Sequence, residues 1–293
     1  MCSLCAKGMK NLILTKKKPI FIVKYMNILD KIIAHKRIEV AAQKQQVSVS
    51  ELETSGYFGK TCVSLKNALL TPHATGIIAE FKRKSPSKGI INDQVSVQDV
   101  TIGYTNAGAS GLSVLTDYEF FGGSATDLYN AREANRQTPL LRKDFMVDEY
   151  QILEAKSWGA DVILLIAANL TPAEVYQFGK FAQNLGLEVL LEVHDNQELS
   201  SHLCQYVDIV GVNNRNLKNF AEQNVNASLE LAELIPAEFV KISESCISQP
   251  ETIEQLREVG YKGFLIGENF MKTTNPALAI REFVEKMKNL QSV

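Results

Sequence analysis

An α/β fold, a (β/α)8 TIM barrel with an N-terminal helical extension, is what the sequence predicts, and three observations carry it. From residue 76 onward, eight short apolar runs alternate with stretches of helical periodicity. The runs show little polar alternation, as in strands of a parallel sheet covered by helices. Eight consecutive βα units are the number that closes a barrel. A doubly wound open sheet is the alternative, but it usually has fewer strands, and no GxGxxG follows the first run.

Residues 1–25 have no clear period and read as an appendage, either disordered or an upstream alternative start. Residues 26–293 read as a single barrel domain, with 26–75 as its helical extension. The extension opens with "MNILDKIIAHKRIEVAAQKQQ", which places Ile28, Ile32, Ile33 and His35–Lys36 at helical spacing behind a candidate N-cap, Asn27. The turn Pro72–Gly76 then leads into the first strand. Predicted strands cover 76–81, 111–116, 139–145, 161–167, 188–193, 208–214, 239–245 and 263–269. Helices are predicted over 96–109, 148–160, 171–186, 250–260 and 275–290, among others. Gly108, Gly159, Gly186 and Gly260 each close a helix before the next strand, which suits a left-handed C-terminal cap.

Composition narrows the function classes. The chain has 293 residues, 45% of them hydrophobic and 22% charged, enough to bury a sizeable core. A formal charge of −2 and a pI of about 6.2 provide no field to recruit nucleic acid or an anionic membrane. The runs "TKKKP" and "FKRKSPSK" are local and read as solvated. No apolar run approaches the ~20 residues that span a bilayer. The apolar stretch between Pro19 and Lys24 is shorter than the ~7–15 residues of a signal peptide core, so the expected location is the cytoplasm. Five cysteines fit a reducing compartment. Cys2 and Cys5 form a CxxC, but no second pair or nearby histidine completes a zinc site, and no thioredoxin-like βα pattern follows. Cys62 and Cys204 read as ordinary small residues.

In a barrel of this kind chemistry sits at the C-terminal ends of the strands. The stretch "IIAEFKRKSPSKG" (77–89) begins like a buried strand, yet it puts Glu80 and Lys82 on the face of Ile78, with Phe81 pointing the other way. Burying an unpaired charge costs on the order of several kcal/mol. The third strand places Lys143 on the face of Leu141, and the fifth places Glu192 beside Leu190. The sixth puts Asn213 and Arg215 on the face of Gly211. A single charged residue at a strand end has ordinarily just reached solvent. Four strands that each do so on one face, at one end, point to an active site whose lysines and glutamates compensate one another and shift each other's pKa.

Strands seven and eight end differently, in "SESCIS" and "IGENF". The loops after these strands commonly bind phosphate in barrels, and Ser245 with the amides of Cys246, Gly267 and Glu268 are the candidate donors. A phosphate there, across the mouth from two lysines and two carboxylates, suggests a phosphorylated carbon skeleton undergoing acid–base chemistry. No zincin, P-loop or nucleophile-elbow pattern occurs, and no His or Cys/Asp cluster suggests a metal.

The segments "IIAEFKRKSPSKG", "SVLTDYEFFGGS", "LLRKDF", "LLEVHD", "GVNNRNL", "SES" and "LIGENFM" resemble, in order and spacing, the motifs of indole-3-glycerol phosphate synthase, over about residues 26–290. The resemblance implies a ring closure in tryptophan biosynthesis, without cofactor or metal. In it, 1-(2-carboxyphenylamino)-1-deoxyribulose 5-phosphate becomes indole-3-glycerol phosphate, carbon dioxide and water. It assigns Lys143 as general acid at the ketone oxygen and Glu192 to charge stabilisation or base work. Glu80 and Lys82 take the remaining proton transfers. Asn213 and Arg215 hold the substrate hydroxyls and the catalytic network, and Glu244 is a further substrate-binding residue. Pro86, Phe121, Phe145 and Leu265 form the slot for the anthranilate ring, and Ser85 lies on a loop that folds over the substrate.

Two positions depart from the family pattern. Cys246 stands where a glycine is usual, and Glu268 where a serine is often found, so that only the Glu268 backbone N–H is expected at the phosphate. The alternatives are a phosphoribosylanthranilate isomerase-like barrel, which would need a Cys/Asp pair on its strands, and an inactive phosphate-binding barrel subunit. The expected partner is a small phosphorylated substrate, with no nucleic acid and no membrane. A monomer is expected, with transient contacts to other tryptophan-pathway enzymes.

Overall fold

A computed structural model of the chain describes residues 27–215 and 224–290. The predicted appendage and its CxxC lie outside the described residues. Eight parallel strands close on themselves. They are β1 (Ile77–Phe81), β2 (Gly111–Leu115), β3 (Leu140–Lys143), β4 (Val162–Ile166), β5 (Glu188–Val193), β6 (Ile209–Asn213), β7 (Val240–Glu244) and β8 (Gly263–Ile266). Each pairs with the next in sequence, and β8 returns to β1 with Ile78 opposite Leu265. The expected (β/α)8 barrel is therefore present. The last predicted strand ends early, at Ile266, because the chain turns into a short helix, Glu268–Met271.

Strand alternation sorts the apolar residues into two cores. Ile78, Leu141, Leu164, Leu190, Ile209, Ile242 and Leu265 fill the barrel interior. Their neighbours along each strand, such as Ala79, Ile163 and Leu191, face the surrounding helices. Full burial of one such Leu or Ile side chain contributes about 1.5–3 kcal/mol. The predicted glycine caps adopt the left-handed conformation, with φ of 93° at Gly108, 88° at Gly159, 76° at Gly186 and 90° at Gly260. Among the described residues no helix is long and apolar enough to cross a membrane.

The N-terminal extension clasps the barrel from mouth to floor. Helix α1 (Ile28–Gln46) starts in a capping box: Asn27 Oδ1 accepts the Asp30 N–H, and the Asp30 carboxylate accepts the Asn27 N–H. Its fully buried stripe is Ile32, Lys36 and Val40, so one ammonium is packed between two aliphatic side chains. Helix α2 (Val49–Glu53) sends Leu52 into a cluster with Val147, Tyr150 and Leu153. Helix α3 (Leu65–Leu70) closes the N-terminal end of the barrel with Leu65 and Leu69. Glu188, at the start of β5, holds that helix by accepting from the Leu65 and Lys66 N–H groups and the Ser64 hydroxyl.

Candidate active site

The same alternation that builds the interior carries polar residues into it at the C-terminal ends. Above Ile78, Leu141, Leu190 and Ile242 come Glu80, Lys143, Glu192 and Glu244, all on the inner face. Two glycines make room for them. A Cβ at Gly211 on β6 would collide with the Glu244 carboxylate, and one at Gly267 after β8 would collide with that of Glu80. The close approach is why these positions carry no side chain.

Lys143 is the hub. Its Nζ lies 2.9 Å from Glu192 Oε2 and 2.6 Å from Glu244 Oε2. Burial works against its charge, but Glu192, Glu244 and Glu80 more than offset this and hold the ammonium above the ordinary lysine range. Glu192 is likewise opposed by burial. Lys143, His194 and the hydrogen bonds from Lys143 and Asn213 still bring its carboxyl down to about 2. For Glu244 burial prevails: with Glu192 and Glu80 repelling its charge against the pull of Lys143, it is pushed up to about 7. Its second oxygen, Oε1, is buried and has no hydrogen-bond partner among the described residues. Asn213 Nδ2 donates to Glu192 Oε1 at 3.0 Å and fixes that carboxylate. Across the mouth, Lys82 Nζ is 2.6 Å from Glu80 Oε1.

All the sequence-predicted site residues line one cavity of about 280 Å³. Phe121 and Phe145 form its apolar wall with ring centroids 5.9 Å apart, and Leu265 and Pro86 also border it. The cavity is also lined by two successive left-handed residues, Ser245 (φ 67°) and Cys246 (φ 61°), and by Gly267 and Glu268. The backbone at Cys246 thus takes the conformation that favours glycine. The Glu268 carboxylate is drawn to Lys88 and Arg215, each at 3.5 Å. Arg215 does not share the inner face beyond Asn213, because the strand ends there: the Arg215 N–H donates to Asn213 Oδ1. Its guanidinium reaches instead to Ser87 Oγ, 3.0 Å away on the loop after β1. That loop contains a short ribbon pairing Lys84–Ser85 with Gly89–Ile90. Arg83 anchors it through a bidentate pair with Asp127, at 2.5 and 2.8 Å.

Sequence reasoning overlooked two groups here and gave a third, Glu244, only a substrate-binding part. His194 lines the cavity two residues beyond Glu192, on the same face, a signal present in "LLEVHD". Its imidazole is 3.8 Å from Glu192 Oε1 and 3.2 Å from Glu198. Burial disfavours its proton, but the bond to Glu198 and the charges of Glu192 and Glu198 raise its pKa. Glu244 joins the charge cluster as a third carboxylate. Ile28, Leu29 and Ile32 of α1 close one side of the mouth, and nothing local in the sequence says which side of the barrel that helix covers.

The arrangement matches known proteins. A model of the indole-3-glycerol phosphate synthase family matches residues 29–283. The chain is 45% identical over 262 residues to the indole-3-glycerol phosphate synthase of Bacteroides thetaiotaomicron, covering 89% of this chain and 99% of that protein. It is 39% identical over 261 residues to the same enzyme of Bordetella pertussis, covering 88% and 99%. Among solved structures, a chain of the tryptophan synthase complex of Pyrococcus furiosus superposes with a TM-score of 0.56 at 16% identity, covering 73% of this chain and 98% of that one. The thiamine phosphate pyrophosphorylase of the same organism gives 0.54 at 14% identity, covering 78% and 99%. These distant likenesses show the barrel alone. Sequence identity across nearly the whole length of its relatives, together with the family match, shows that the chain belongs to the indole-3-glycerol phosphate synthase family.

Proposed function

We propose that the chain converts 1-(2-carboxyphenylamino)-1-deoxyribulose 5-phosphate to indole-3-glycerol phosphate, carbon dioxide and water, with Lys143 as the central acid. The observation that carries this is the buried Lys143 ammonium, held charged by Glu192 and Glu244 at the floor of a cavity with an aromatic wall. The ring carbon that bears the carboxylate attacks the ketone carbon. As that bond forms, charge grows on the ketone oxygen, and Lys143 donates its proton there. Positive charge left on the anilino nitrogen is stabilised by Glu192, which Asn213 keeps oriented. Loss of carbon dioxide returns its electron pair to the ring. Dehydration then needs a base to take the proton and an acid to release the hydroxyl as water. Glu192 serves as the base, and the Glu80–Lys82 pair supplies the acid.

Phe121, Phe145, Pro86 and Leu265 hold the aromatic ring, Glu244 helps bind the substrate, and Ser85 belongs to the loop over it. Asn213 and Arg215 hold the substrate hydroxyls. Ser245 and the amides of Cys246, Gly267 and Glu268 take the phosphate. Residues 26–293 act as one domain, a cytoplasmic monomer in this reading, with only transient contacts to other enzymes of the pathway. Purified protein given the carboxyphenylamino substrate should develop indole fluorescence and release one carbon dioxide per product. Absence of both from well-folded protein would contradict the assignment.

A further inference from the structure

We propose that Lys36, on the N-terminal helix, is a positioning residue that sets the spacing of the Phe121 and Phe145 rings and thereby the affinity for the aromatic half of the substrate. The proposal rests on the function put forward above. Lys36 is fully buried, in the stripe between Ile32 and Val40 where an aliphatic residue would serve helix packing. Its Nζ lies 2.9 Å from Asp117 Oδ2 and 3.0 Å from Asp144 Oδ1, with Glu39 of its own helix also at 3.0 Å. The two aspartates come from different loops, after β2 and after β3, and both are buried.

Each aspartate also holds the backbone that carries one of the two rings. Asp117 Oδ1 accepts the Phe120 N–H at 2.8 Å and caps the short helix Tyr118–Phe121. Asp144 Oδ1 accepts the Phe145 N–H at 2.8 Å. Asp144 has a second tether, through Oδ2, to Thr116 and Arg142. Asp117 Oδ2 has none: Lys36 is its ion-pair partner among the described residues. Thr116 joins the two loops at their roots through its bond to Asp144, and the ammonium adds the link to Asp117, the residue that caps the helix of Phe121; through that link it sets the ring separation of 5.9 Å. A residue that merely anchored α1 would, when lost, weaken both halves of the site alike. A residue that sets the ring spacing affects the aromatic half and spares the phosphate half.

Steady-state kinetics on the full chain distinguish these, using anthranilate and inorganic phosphate as competitive inhibitors. For Lys36→Met, KM should rise about tenfold or more with kcat within about threefold. The inhibition constant of anthranilate should rise in step, and that of phosphate should stay within about twofold. Should this variant fail to fold, Lys36→Met combined with Asp117→Asn removes one charge of each sign and keeps a side-chain cap for Phe120, and the same split is expected of it. An unchanged KM, or equal weakening of anthranilate and phosphate binding, would overturn the proposal. An inactive but folded wild type would contradict the proposed function instead, and the dissociation constants of anthranilate and phosphate, measured by calorimetry on wild type and variant, would then test Lys36 by the same split.

Discussion

Glu244 and Cys246 are each held away from an ordinary state, one in its protonation and the other in its backbone. A carboxyl raised to about 7 keeps its proton in the folded protein at pH values where the unfolded chain has released it. Rising pH therefore favours unfolding through this group, across the window from 4.5 to about 7. Wild type should lose stability relative to Glu244→Gln over that window, by on the order of 3 kcal/mol, in denaturant titrations at several pH values. A constant difference across the window would contradict the shift. Glu192 has the opposite sign: its depressed pKa contributes stability above 4.5 that is lost as pH falls toward 2. At Cys246 the left-handed backbone costs about 1 kcal/mol for any residue with a Cβ. Cys246→Gly should raise the unfolding free energy by about that amount and leave KM within about twofold. A less stable glycine variant would mean that the cysteine side chain contributes packing that outweighs its strain.

Elements place these residues, and at the charge cluster one constraint lies between neighbouring strands. Gly211 on β6 leaves the space that the β7 carboxylate of Glu244 occupies. Gly211→Ala should push that carboxylate away from Lys143 and lower kcat/KM by about tenfold or more. Gly186→Ala is the matched control: it puts a Cβ on a left-handed residue in open space, so it should cost about 1 kcal/mol of stability and leave turnover unchanged. Equal kinetic loss in both would contradict the steric account. Helix α1 is more than a covering layer, because it contributes both the Ile28–Leu29–Ile32 side of the mouth and the Lys36 ammonium. Removing one member of a buried ion pair costs about 3–5 kcal/mol, so Lys36 ties the extension to the barrel as well as to the site.

At the scale of the whole molecule, strand periodicity made most of the barrel legible in the sequence. Glu80, Lys143, Glu192 and Asn213 could be placed because a period of two assigns a face once the strand is known. That rule stops at Asn213, where the strand ends; Arg215 lines the cavity from the loop beyond, its N–H held by the Asn213 side chain. Phe121 ends a single-turn helix and Phe145 lies on a loop, both too short for a period to apply, and only their motifs marked them. The aspartate partners of Lys36 were illegible because ion pairing across distant segments leaves no local pattern. The central claim is that Lys143 acts as the acid of an indole-forming ring closure. Steady-state turnover of 1-(2-carboxyphenylamino)-1-deoxyribulose 5-phosphate, followed by indole fluorescence for wild type and Lys143→Ala, tests it most directly. The predicted result is turnover by wild type and a kcat lower by a factor of roughly 10² or more in the variant, the scale of a lost general acid. A folded Lys143→Ala variant that turns over at the wild-type rate would contradict it.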